Sequence, residues 1–86
     1  MNIAIYGRPV NINQVAFAES IIDTLKKNDC SLSIHEPYFH FLKRHIPTLK
    51  NYDLFNSNHD LPRNVDFLLS IGGDGTLLDT VTLVKD

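Results

Sequence analysis

A glycine-rich loop directly follows the most apolar stretch of the chain, and it constrains the fold more than any other feature. Residues 65–71 read VDFLLSI and residues 72–75 read GGDG. A short apolar run that ends at turn residues is typical of a strand buried on both faces of a parallel sheet. Beyond the loop, helical spacing relates the apolar residues Leu77, Leu78, Val81 and Val84. The segment therefore predicts a strand, a loop and a helix in succession.

The first part of the chain predicts a similar unit. Residues 2–6 are an apolar run that ends at Gly7, which indicates a short buried strand. Residues 13–28 carry apolar side chains on one helical face. Residues 31–36 alternate polar and apolar, which favours a strand nearer the sheet edge. Strand, helix and strand in this order are typical of an α/β sheet.

The middle of the chain is less regular. Residues 37–50 have roughly helical spacing, and Pro37 suits the first position of a helix. Residues 51–64 are typical of a loop, with room for a short strand at 54–55. We predict an α/β fold, an open parallel-type sheet with flanking helices, in which the strongest strand, residues 65–71, lies centrally.

Composition bounds the function classes. The chain has 86 residues, 43% of them hydrophobic and 21% charged, which suits one small globular domain or part of a larger one. Its net charge of −2 gives no electrostatic footprint for nucleic acid or a membrane. One cysteine, Cys30, excludes an intrachain disulfide. No signal peptide or transmembrane run is present, so we expect a cytoplasmic protein.

The residues of the glycine loop suit a phosphate ligand. Open α/β sheets bind ligands beyond the carboxyl ends of their strands, where this loop is predicted to lie. Gly72, Gly73 and Gly75 let a ligand approach the main chain, whose N–H groups attract anions. Thr76 could cap the following helix or donate to a phosphate oxygen. Asp74 would repel a phosphate unless it acts as a general base for an attacking hydroxyl or as a ligand of Mg²⁺.

A structural interpretation of the loop remains open beside the functional one. Glycine and aspartate are common turn residues, so the segment could be a tight strand-to-helix turn in which Asp74 only caps the helix. The loop is neither a Walker A motif nor a G-x-G-x-x-G dinucleotide fingerprint. Three glycines around one acid exceed what a plain turn requires, which favours the functional interpretation.

Other candidate residues are weaker. The four histidines lack the spacing of a metal site, so we predict none from His35, His40, His45 and His59. Three aromatic residues could stack on a base, but core packing is the favoured interpretation for Tyr38, Phe39 and Phe41. Arg8 follows the first predicted strand and could face a phosphate or equally lie free on the surface.

Two stretches of the sequence resemble the NAD kinase family. GGDGTLL is similar to the nucleotide loop of NAD kinases and, more distantly, of diacylglycerol kinases, sphingosine kinases and 6-phosphofructokinases. NIAIYGRP resembles the opening strand of NAD kinases in particular. The resemblance implies transfer of a phosphoryl group from ATP to the 2′-hydroxyl of the adenosine ribose of NAD, with Mg²⁺ or another divalent cation. A lipid kinase of the diacylglycerol type and a non-catalytic nucleotide-binding module are the alternatives.

The resemblance also implies roles for individual residues. Asp74 matches the aspartate that acts as base and contacts the ribose, and Gly75 matches a glycine that lines the NAD site. Gly72, Gly73 and Thr76 match positions that shape the phosphate and ATP pocket. Many family members carry a basic residue where this chain has Asp79, so no site role passes to Asp79.

The resemblance further implies a domain arrangement. Residues 1–86 match an N-terminal nucleotide-binding domain, and the β-rich C-terminal domain of the family has no counterpart in this sequence. We therefore expect these residues to be a fragment that is inactive alone, and the full-length form to be a homo-oligomer.

Overall fold

A computed structural model describes residues 1–8, 12, 14–56, 61, 64–71 and 78–83 of the chain. It contains five strands and two helices within these ranges. In chain order the elements are β1 (Asn2–Tyr6), α1 (Gln14–Lys27), β2 (Ser31–His35), α2 (Glu36–His45), β3 (Asp53–Phe55), β4 (Phe67–Ile71) and β5 (Leu78–Leu83). The predicted α/β class is confirmed.

The five strands form one sheet in the order β3-β2-β1-β4-β5. Strands β1 to β4 are mutually parallel, whereas β5 runs antiparallel to β4. The central strand is β1, whose three middle residues are buried. The prediction that residues 65–71 form the central strand is therefore wrong, because β4 lies beside the centre, and its Phe67 and Leu68 are only partly buried.

The two faces of the sheet are covered differently. Both helices pack in one hydrophobic cluster with the strand residues Ile3, Ile5, Leu32, Ile34 and Leu69. A second, smaller cluster contains Ala4, Phe55 and Val65, with Leu61 packed against it. Because neighbouring residues of a strand point to opposite faces, Ala4 lies on the face opposite to Ile3 and Ile5. Leu61 and Val65 belong to the connection between β3 and β4, so this connection contributes to the cover of the second face.

Helix α1 follows the predicted pattern and ends with a defined cap. Its predicted range, 13–28, differs from the observed one by a single residue at each end. The N–H of Cys30 donates to the carbonyl of Leu25 at 3.0 Å, and the N–H of Asp29 donates to that of Lys26 at 3.1 Å. This pair of bonds is a Schellman motif, and Asp29 has the left-handed φ of 60° that the motif requires.

Helix α2 begins immediately where β2 ends. Glu36 lies in its first turn, where a negative charge is favourable, and Pro37 lies where no backbone donor is needed. Lys43 donates through Nζ to the carbonyl of Leu49. Tyr38, Phe39 and Leu42 are buried, which confirms the core interpretation for Tyr38 and Phe39. The predicted short strand at residues 54–55 is confirmed as β3.

The predicted helix after the glycine loop is wrong. Residues 78–83 form β5, which pairs along β4 with Leu69 opposite Val81. The stretch contains three consecutive β-branched residues, Thr80, Val81 and Thr82, which suit a strand. Pairing with β4 also satisfies backbone groups on an otherwise open sheet edge. The argument that a helix N-terminus attracts phosphate to this loop therefore falls.

Candidate functional site

The topology places one special position at the carboxyl edge of the sheet, between β1 and β4. From β1 the chain passes through α1 to β2 on one side, whereas from β4 it passes to β5 on the other side. Neighbouring parallel strands whose connections leave in opposite directions form a topological switch point, where α/β sheets bind ligands. Here Tyr6 pairs with Ser70, so β1 and β4 end side by side, at Tyr6 and at Ile71 respectively.

The predicted glycine loop follows β4 directly in the chain. Its residues, Gly72, Gly73, Asp74, Gly75 and Thr76, lie outside the described residues, so the roles assigned to them remain predictions. Ile71, the last described residue before them, is 5% exposed and belongs to the main core cluster. The chain therefore enters the predicted phosphate loop from a fixed point at the switch position.

The end of β1 is closely packed against α2. A Cβ atom built on Gly7 would lie 2.6 Å from Cζ, 2.7 Å from Cε1 and 2.8 Å from Cε2 of Tyr38. Gly7 does not have a left-handed φ, so space alone requires glycine at this position. The space beside this backbone is filled by a tyrosine ring rather than left for a ligand. Sequence reasoning missed this contact, because nothing local relates two residues 31 positions apart.

The Tyr38 side chain ends in an unsatisfied polar group. Tyr38 is fully buried, and its hydroxyl has no hydrogen-bond partner among the described residues. Removal from water raises the pKa of this phenol, so it stays protonated at neutral pH. An unpaired buried hydroxyl destabilises a fold by about 1–3 kcal/mol, and in native proteins such a group calls for an explanation.

A row of rings lies at the same edge on the other face of the sheet. The ring centroids of Tyr6 and His35 are 4.5 Å apart, and those of His35 and Phe55 are 5.7 Å apart. These residues end β1, β2 and β3, so the row crosses three strands. His35 Nδ1 is buried and also has no hydrogen-bond partner within the described ranges. His35 stands at the N-cap position of α2 but makes no side-chain cap bond.

The carboxylate that follows His35 in the chain already has partners. Glu36 Oε1 accepts a hydrogen bond from Asn56 Nδ2 at 3.2 Å, which ties the start of α2 to the end of β3. Glu36 Oε2 lies 3.8 Å from Nε2 of His40 one helical turn away. Both side chains are substantially exposed, so this ion pair contributes little to stability. Glu36 therefore links the start of α2 to neighbouring residues, and both of its carboxylate oxygens already have a contact.

Arg8 is a positively charged residue at the end of β1, next to the switch point. It directly follows Gly7 and is exposed, which is compatible with either interpretation made from the sequence. Within the described ranges, no three His, Cys, Asp or Glu side chains come together in a group that could hold a metal ion. His59 lies outside the described residues.

Comparison with known proteins decides the family. The NAD kinase of Cytophaga hutchinsonii is 31% identical over 87 residues, a match that covers the whole chain and 30% of that protein. The NAD kinase of Flavobacterium johnsoniae is 31% identical over 86 residues, again across the whole chain and over 29% of that protein. The NAD kinase of Bacteroides fragilis is 30% identical over 79 residues, 91% of the chain. The chain belongs to the NAD kinase family.

The match is to one part of these NAD kinases. The chain spans about 30% of the length of the curated relatives that it matches. No family model matches the chain, and no solved structure does. In the described part of the chain, no helix combines the length and apolar character needed to cross a bilayer. The resemblance carried by GGDGTLL and NIAIYGRP is thus confirmed at the level of the family.

Proposed function

We propose that this chain supplies the nucleotide-binding part of an ATP-dependent NAD kinase. The observation that carries the proposal is the match of the whole chain to NAD kinases, combined with the place of the GGDG segment in the chain. That segment directly follows β4, at the switch point of an α/β sheet. A family match alone would not indicate where the chemistry lies, and a switch point alone would not indicate which chemistry it is.

The proposed reaction is transfer of the γ-phosphoryl group of ATP to the 2′-hydroxyl of the adenosine ribose of NAD. A bond forms between the 2′-oxygen and the γ-phosphorus, and the bond from that phosphorus to the β–γ bridging oxygen breaks. The proton of the 2′-hydroxyl passes to Asp74, which acts as the general base. The products are ADP and NADP.

The loop residues have distinct proposed roles. Asp74 and Gly75 contact NAD, whereas Gly72, Gly73 and Thr76 contact the phosphates of ATP. Because β5 replaces the expected helix, the anion site depends on the main-chain N–H groups of the glycines and on the Thr76 hydroxyl. Phosphoryl transfer depends mainly on positioning and charge stabilisation, which such donors provide.

The divalent cation is proposed to arrive with ATP. Mg²⁺ is usually held by substrate phosphates, retained water and one or two carboxylates, and Asp74 is a candidate carboxylate. Within the described ranges no group of three acidic, histidine or cysteine side chains could cage a metal ion, so the proposal has the ion held by the phosphates and by Asp74. When bound, the ion would neutralise negative charge on the transferring group.

Substitution of Asp74 in the full-length protein tests the proposal. We expect Asp74→Asn to lower kcat for NADP formation by about 10²- to 10⁴-fold, the usual contribution of a general base, while the protein stays folded. Asp79→Asn is the matched control, since no site role is assigned to that acid, and it should keep near wild-type turnover. Near wild-type turnover in Asp74→Asn would contradict the base role. Phosphorylation of diacylglycerol in place of NAD would contradict the proposed acceptor.

A further inference from the structure

We draw no further inference here: the strongest candidate, the open depression of about 480 Å³ at the amino edge of the sheet between the end of α1, the start of β2 and the segment that leads into β3, is lined mostly by exposed polar side chains of both charges, and nothing among the described residues shows what would occupy it.

Discussion

The amino and carboxyl edges of the sheet satisfy their polar groups to different degrees. At the amino edge, the N–H of Asn2 donates to Asp66 Oδ2 at 2.9 Å, and the N–H of Asp66 donates to the carbonyl of Asn2 at 2.8 Å. Asn2 Nδ2 also donates to the carbonyl of Asn64 at 2.9 Å. At the carboxyl edge, the Tyr38 hydroxyl and His35 Nδ1 are buried without partners among the described residues. The same sheet thus has a closed edge and an edge with unused hydrogen-bonding capacity.

The difference agrees with the expectation that the amino edge serves stability and that the carboxyl edge binds a ligand. Hydrogen bonds at the amino edge stabilise the start of β1 against the segment that leads into β4. A broad depression of about 480 Å³ also lies there, among residues such as Lys26, Asp29 and Tyr52. The predicted nucleotide chemistry belongs to the other edge, where the strands end and the topology reverses.

The largest expected effect on stability comes from Gly7→Ala at the carboxyl edge. The added methyl would lie 2.6–2.8 Å from three atoms of the Tyr38 ring. Overpacking of this kind costs about 3 kcal/mol of unfolding free energy, measurable by urea denaturation. In a Tyr38→Leu background the clash is relieved, so the same substitution should cost less than about 1 kcal/mol. Equal costs in both backgrounds would show that the ring is not what requires glycine.

Asp66→Ala tests the amino edge, again through the free energy of unfolding in urea. The substitution leaves the N–H of Asn2 without its carboxylate acceptor. We expect a loss of about 2 kcal/mol in unfolding free energy, typical of a hydrogen bond to a charged group. Asp66→Asn retains an acceptor oxygen and should lose less than half as much. Turnover per folded molecule of the full-length protein should not change in either variant. A fall in turnover would contradict the expectation that the amino edge serves stability alone.

How far the sequence predicts this fold depends on whether local pattern or distant contact decides each element. The period of α1 is local, because one face is buried and the other exposed, and the sequence predicts its range to within a residue. Residues 78–83 satisfy both patterns, with Leu78 and Val81 at helical spacing and β-branched residues at 80–82. The open edge of β4 decides between them, and no local signal reports that edge.

The candidate site shows the same limit. Its glycine loop is visible in the sequence because strand, glycines and acid are consecutive. The contact between Gly7 and Tyr38 joins two elements that only the sheet topology brings together. Similarly, apolar continuity predicts burial of β4 on both faces, but Phe67 and Leu68 are only partly buried. How much of each face is covered depends on other segments, so it cannot be read from β4 itself.

Alkaline pH should reveal the buried phenol of the carboxyl edge. Burial raises the pKa of Tyr38 above the ordinary value of about 10, so above that pH the folded chain keeps a proton that the unfolded chain releases. The associated stability is fully present below pH 10 and falls by up to about 1.4 kcal/mol per pH unit above it. Tyr38→Phe should flatten this decline in urea denaturation between pH 9 and about 11.5.

Tyr52→Phe provides the comparison across the sheet. Desolvation also raises the pKa of Tyr52, with a lowering contribution from Lys50 and a raising one from Asp23. Tyr52 is half-buried, so water screens these effects. Replacing its hydroxyl should therefore flatten the fall of unfolding free energy at alkaline pH less than Tyr38→Phe does. An equal effect of both variants would mean that the Tyr38 environment is no drier than that of Tyr52.

The smallest expected effect is a gain at the amino edge. Asp29 has a φ of 60° in the Schellman motif that ends α1, a conformation that costs a non-glycine residue about 1 kcal/mol. Asp29→Gly relieves this strain but enlarges the freedom of the unfolded chain, so we expect a net gain of roughly 0.5 kcal/mol in urea denaturation. Asp29→Ala keeps the strain and should be less stable than wild type, since aspartate tolerates this conformation better than alanine. If both variants lose stability equally, the Asp29 side chain itself contributes to this edge, whose stability would then depend on more than its backbone hydrogen bonds.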